Sequence, residues 1–314
     1  MNFLYICQDF FWIKTNKKSL KDIDFIISKL KHISIPMENL SKPILIPTDF
    51  TVVAQYAMEL AVPFVRLTNT SMVLVHIVKK TAEIPDATAK VELEADKASR
   101  DYGVPVKGIV REGSIFSTIG ETVDELDASL VLMGTHGIKG MQKLTGSWAL
   151  KVIVTSKVPI FVVQASPGKK TIDKIIFPID FKRENREKIG WAYYVAKLFN
   201  SKVHIFRSEP ARDRKIEQGV RTNLSFTEKF LKSKNVNYDV TVATGKDSFA
   251  KESLQFAEDM GGDLILITTT KGISIYDYVL GASEEGIITN SANIPVMCIN
   301  PRKSKVGGFS ATGG

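Results

Sequence analysis

The stretch KPILIPTDF at residues 42–50 returns as DKIIFPIDF at residues 173–181, 131 positions later. Each copy is a short aliphatic run that ends at or just beyond a proline and leads into Asp-Phe. The rest of the chain repeats in the same order. SMVLVHIV (71–78) reads against SKVHIFRS (201–208), which sets His76 beside His204. DASLVLMGT (127–135) returns as GGDLILITT (261–269), and VPIFVV (158–163) as IPVMCI (294–299). A period near 130 residues marks a duplicated domain, because solenoid units repeat every ~20–50 residues. The expected division is a domain over 37–165 and a second over 172–300, joined by the loop QASPGKKT (164–171). Residues 1–36 read as an appendage, or as a leader from an upstream start, and 301–314 as a tail.

Within each copy, apolar runs of four to eight residues alternate with longer segments of helical period. The pattern predicts strands near 43–48, 71–78, 104–110, 129–134 and 158–163 in the first copy. Helices are expected near 52–67, 87–101, 114–126 and 146–156. The second copy predicts strands near 173–179, 201–207, 237–243, 263–268 and 294–299. Runs such as SLVLM and PIFVV carry no polar alternation, which suits strands covered on both faces. The fold class is therefore α/β, with two tandem doubly wound parallel sheets flanked by helices. Ligands of such sheets sit beyond the carboxyl ends of the strands, where the strand order reverses.

Composition narrows the function. The chain has 314 residues and a formal charge of +8. Residues 1–36 supply +3 of it and the tail another +3, leaving +2 for the two domains. No basic stripe remains there for a nucleic acid. No apolar run approaches the ~18 residues of a membrane span. Cys7 and Cys298 stand alone, without metal-ligand spacing or a disulfide framework. A reducing cytoplasm fits this cysteine usage.

The chemistry concentrates at the carboxyl edge of the first copy. Pro47, Thr48 and Asp49 end its first strand, and His76 and Ile77 end the second. Met133 and Gly134 end the fourth, and GTHGIKGMQKLTGS (134–147) carries His136, Gly137, Gly146 and Ser147 toward the last helix. Together these suit a nucleotide. Asp49 accepts from ribose or base, the Ile77 main chain reads an adenine edge, and glycines with a helix N-terminus offer amides to phosphates. Each residue also has a plainer reading: Asp49 as a cap for the helix from Thr51, His76 as a packed strand-end residue, Gly146-Ser147 as a loop-to-helix transition. Other nucleotide signatures are missing. There is no GxxxxGK[ST], since ATGKDSF (243–249) lacks the earlier glycine, and no GxGxxG follows the first strand.

With the repeat, PTDF, the V-H-I strand end and GTHG…GS, residues 37–300 resemble the universal stress protein family in a tandem, two-domain form. The resemblance implies five-stranded sheets of order 3-2-1-4-5 that pair through their last strands, within one chain or as a homodimer. It also implies ATP or a related adenine nucleotide, with magnesium as an accompanying ion. Asp49 and the Ile77 backbone would then meet the adenosine part, with Pro47, Thr48 and Met133 lining its pocket. Gly134, His136, Gly137, Gly146 and Ser147 would surround ribose and phosphates. Between Gly137 and Gly146 this chain has eight residues, IKGMQKLT, one fewer than the family pattern. The second copy keeps Asp180 but has Thr-Thr-Thr-Lys (268–271) in place of GTHG, and Gly281-Ala282 in place of Gly146-Ser147. Its expected role is pairing. The functional expectation is a cytoplasmic ATP-binding protein of stress or signalling, without catalytic residues. A nucleotide-free scaffold and a slow ATPase in the same pocket are the alternatives.

Overall fold

The structure, a computed structural model, describes residues 42–135, 147–269 and 282–301. The expectations for residues 1–36 and for most of the tail lie outside these residues. The first half comprises β1 (Ile44–Pro47), α1 (Val52–Thr68), β2 (Met72–Val78), α2 (Ile84–Tyr102), β3 (Val106–Glu112), α3 (Ile115–Glu125), β4 (Leu130–Gly134), α4 (Ser147–Thr155) and β5 (Ile160–Val163). The second comprises β6 (Lys174–Ile179), α5 (Ile189–Phe199), β7 (Lys202–Arg207), α6 (Arg214–Ser233), β8 (Tyr238–Val242), α7 (Phe249–Asp259), β9 (Leu264–Thr268), α8 (Ala282–Ile288) and β10 (Val296–Ile299). The third strand starts two residues later than its pattern predicts. The second helix starts earlier, at Ile84, because Pro85 occupies its first turn, where a missing N–H is not needed.

The two expected sheets are one. The strand order is β3-β2-β1-β4-β5-β10-β9-β6-β7-β8, so each half runs 3-2-1-4-5 and the halves meet at their last strands. All pairings within a half are parallel. The seam is antiparallel, with Val296 opposite Val162, Met297 opposite Phe161 and Cys298 opposite Ile160. Every residue of β5 and β10 is buried, which accounts for runs without polar alternation.

The seam is packed on both faces of the sheet. On one, Ile160 and Val162 join Ile265, Ile267, Val296 and Cys298 in a cluster that draws on both halves. On the other, Phe64 of α1 meets Phe161 edge-on at 5.2 Å and Phe199 of α5 at 4.8 Å. Burial holds the Cys298 thiol well above its ordinary range, so it acts as a small hydrophobe. Two amides close the edges in near-symmetric fashion. Gln164, after β5, donates to Ile288 O at the end of α8, at 2.9 Å. Asn300, after β10, donates to Ser156 O at 2.8 Å and to Ile153 O, at the end of α4. Helix ends leave carbonyls without partners, and here each half supplies the donors the other lacks.

Replacing Phe161 by alanine removes the ring that both Phe64 and β10 pack against. The loss expected in urea unfolding is about 3–5 kcal/mol. A loss below about 1 kcal/mol would mean that the two halves hold together without this contact.

Candidate functional site

The carboxyl edge of the first half is built around the exit of β1. Thr48 is buried and its N–H donates to Val75 O at 2.9 Å, the last rung of the β1–β2 ladder. The Thr48 hydroxyl donates to Glu94 Oε2 at 3.0 Å and accepts from Phe50 N at 3.1 Å. Its carbonyl accepts from His76 Nδ1 at 2.8 Å, which assigns the imidazole proton to that nitrogen. The Phe50 ring lies tilted against His76 with centroids 4.5 Å apart, and Phe50 takes φ of 63°, a left-handed conformation that strains a bulky residue. The side chains of Thr48 and His76 thus hold the chain where it leaves the sheet.

What remains open to a ligand is mostly backbone and one carboxylate. Asp49 Oδ1 accepts from Thr51 N at 3.1 Å and from the Thr51 hydroxyl, closing the turn ahead of α1. Asp49 is exposed, and its Oδ2 makes no hydrogen bond among the described residues. Backbone groups along a strand alternate sides. Val75 O faces β1, so Ile77, two residues on, presents its N–H and C=O to the same side, and β1 has ended at Pro47. Pro47 and Ile77 are half-buried beside this gap, while the Met133 side chain belongs to the core.

Glu94 is the member the sequence reading missed. It projects from α2 at helical spacing from the buried Val91 and Ala98, next to buried Ala95, so a carboxylate on an apolar stripe was its one signal. Burial raises its pKa, Asp49 pushes in the same direction, and the Thr48 hydroxyl and His76 oppose.

Gly134 has a structural duty. A Cβ there would lie 2.1 Å from Val53 O and 2.8 Å from Ala54 N, inside the first turn of α1. The bare backbone therefore lets α1 run directly over the end of β4. His136, Gly137 and Gly146 lie outside the described residues, and Ser147 is described only as the first residue of α4.

The second half departs from this plan in three places. Register pairs Pro178 with Phe206 as it pairs Pro47 with Val75, so Arg207 and not His204 takes the place of His76. The pairing of the two histidines was a coincidence of composition. His204 is instead a core residue whose Nδ1 bonds Asp239 Oδ1 at 2.9 Å, with Nε2 buried and without a partner among the described residues. Thr268 stands where Gly134 stands in the first half, and with it the helix that follows the first strand changes. The 131-residue offset would begin that helix near Arg183, but Arg183–Arg186 form a 3-10 turn and α5 starts at Ile189. Lys188, in the last position before α5, is fully buried, donates to Pro178 O and lies 4.6 Å from the Phe177 ring centroid.

Residues 41–164 match the model of the universal stress protein family. This segment is a universal stress protein domain. A universal stress protein of Synechocystis sp. is 29% identical over 134 residues, covering 39% of this chain and 85% of the relative. One from Methanocaldococcus jannaschii is 27% identical over 143 residues, covering 40% and 84% respectively. The crystal structure of a universal stress protein from Archaeoglobus fulgidus superposes with a TM-score of 0.70 at 19% identity, over 83% of this chain and 99% of that one. That span exceeds either half alone, so both halves share the fold. Among the described residues no helix is long and apolar enough to cross a membrane.

Three outcomes follow from these contacts. Gly134→Ala drives a methyl into helix backbone and should destabilise the protein by about 2–4 kcal/mol in urea unfolding. Thr268→Ala should cost under about 1 kcal/mol, since the same position in the second half already accommodates a side chain. Burial, opposed by Asp180, pushes the Lys188 pKa down to about 7 from 10.5. Between those values the unfolded chain holds a proton that the folded chain has released. Stability should therefore rise as pH climbs from 7 toward 10.5, by about 5 kcal/mol at most. Urea unfolding across that range should show the slope in the parent and lose most of it in Lys188→Met.

Proposed function

We propose that the first universal stress domain binds ATP or a related adenine nucleotide, and that the second serves mainly as its covalent pairing partner. The observation that carries this reading is the Ile77 backbone, which turns a donor and an acceptor toward the gap left by the end of β1. An N–H beside a C=O on one strand edge complements the donor and acceptor edge of adenine. Asp49 Oδ2 stands free at the next turn for a ribose hydroxyl. His76 and Thr48 support the reading from behind, because their mutual bond keeps that exit in one shape. The segment from His136 to Ser147, with Gly137 and Gly146, would bring backbone amides to the phosphates. In the second half, Thr268 and the 3-10 turn change the corresponding edge, so one nucleotide per chain is the expected stoichiometry. Such a protein would act in the cytoplasm as a nucleotide-responsive component of stress or signalling.

Isothermal titration of the full chain with ATP tests this. One site per chain is expected, and Asp49→Ala should weaken it about 10–100-fold, the worth of a hydrogen bond to a charged group. Asp180→Ala should leave affinity unchanged. No heat and no thermal shift at millimolar ATP would remove the proposal, and an equal loss from Asp180→Ala would remove its single-site form.

A further inference from the structure

The crevice between the carboxyl ends of β6 and β9 is a cavity of about 160 Å³, bordered by Asp180, Lys182, Asn185, Lys188, Ser253 and Thr268. This is the point where strand order reverses in the second half, the usual ligand position of an open α/β sheet. Its size excludes a nucleotide, since sites for drug-sized ligands run to ~300–1,000 Å³. It would hold about five waters, at ~30 Å³ each.

The buried cation on its wall is short of acceptors among the described residues. Lys188 is 2% exposed and carries three N–H donors when protonated, yet it makes one hydrogen bond, to Pro178 O. No carboxylate lies within ion-pair distance of it among the described residues. Asp180, the nearest acid in the crevice, is committed elsewhere. Its Oδ1 accepts from Lys182 N at 2.9 Å and from Asn185 Nδ2, and its Oδ2 lies 4.0 Å from Lys182 Nζ. Ser253 spends its hydroxyl proton on Phe249 O, leaving that of Thr268 without a partner among the described residues. The remaining walls, from α7, β9 and α8, are Phe249, Ala250, Ile267 and Ile287, none of them charged. Among the described residues the buried Lys188 ammonium therefore has one acceptor and no ion-pair partner.

We propose that this crevice binds a small oxyanion, phosphate-like or carboxylate-like, with Lys188 as its principal ligand and Thr268 completing the shell. A buried ammonium short of acceptors is costly, and an oxyanion supplies both the acceptors and the countercharge. The same anion would favour the protonated lysine, whose pKa burial holds near 7 with Asp180 and Lys182 as the charged neighbours. Binding above pH 7 is therefore accompanied by proton uptake. This proposal is independent of the nucleotide reading of the first domain.

Sulfate is the suitable probe, because it does not titrate in the range of interest. Calorimetry of the full chain should give one sulfate site whose affinity falls by up to about tenfold per pH unit above 7. Heats measured at pH 7.5 in two buffers of different ionisation enthalpy should show proton uptake. Lys188→Met should weaken sulfate at least about tenfold, and Thr268→Val about two- to tenfold, so the test survives if either variant fails to fold. Parallel titrations with inorganic phosphate and acetate identify the preferred class. Silence toward all three anions at about 10 mM overturns the proposal, as does sulfate binding without proton uptake. Competition between ATP and sulfate would also overturn it, by making the crevice a nucleotide site. Asp49→Ala, which should impair ATP binding alone, keeps failure of this proposal distinct from failure of the other.

Discussion

The antiparallel contact between β5 and β10 is the constraint on which the rest of the structure depends. Each strand has only four residues, and as the edge of an isolated five-stranded sheet each would expose a row of unpaired backbone groups and apolar side chains. Joining the two edges removes both liabilities together. It also explains why the cluster around Val162 and Cys298 draws on both halves, and why Phe64 reaches Phe199 across the seam. The amides of Gln164 and Asn300 extend the same exchange to the ends of α8 and α4.

Because pairing occupies the last strands, the first four strands of each half are free to diverge at their carboxyl ends. One contact shows how. In the first half Gly134 admits the first turn of α1 against β4, and a full 17-residue helix follows β1. In the second half Thr268 carries a side chain at that level, the helix shortens to 11 residues, and a 3-10 turn takes up the difference. The space between that turn and the strand ends is the crevice that Lys188 borders. A difference of one side chain beneath a helix turn thus accompanies a different set of polar groups at equivalent edges of the two halves.

At the first domain's edge, the side chains nearest the sheet are spent on holding the backbone. Thr48 joins Glu94, Phe50 and His76, and Phe50 in its left-handed conformation lays its ring against His76. The proposed nucleotide site needs such rigidity, because a backbone donor and acceptor match a base edge only if the strand that bears them does not move. His76 therefore serves position, as its plainer reading held. Asp49 closes the turn to Thr51 with one oxygen, and its other oxygen makes no hydrogen bond among the described residues.

The sequence alone determined the succession of strands that recurs in both halves, the α/β class and the burial of the seam strands, because these depend on local period and apolar content. The motif positions at the ends of β1, β2 and β4 were legible for the same reason. Three matters were decided only by tertiary structure, since each is a distance between elements far apart in the chain. Strand register replaced His204 with Arg207 as the partner of His76, a shift of three residues that similarity of composition had hidden. Packing of α1 on β4 gave Gly134 a steric duty that a phosphate-binding motif does not express. Burial turned Glu94 and Lys188, ordinary charged residues in the sequence, into groups with displaced pKa values. Desolvation depends on what surrounds a side chain in three dimensions, and the spacing of residues along the chain does not encode it directly.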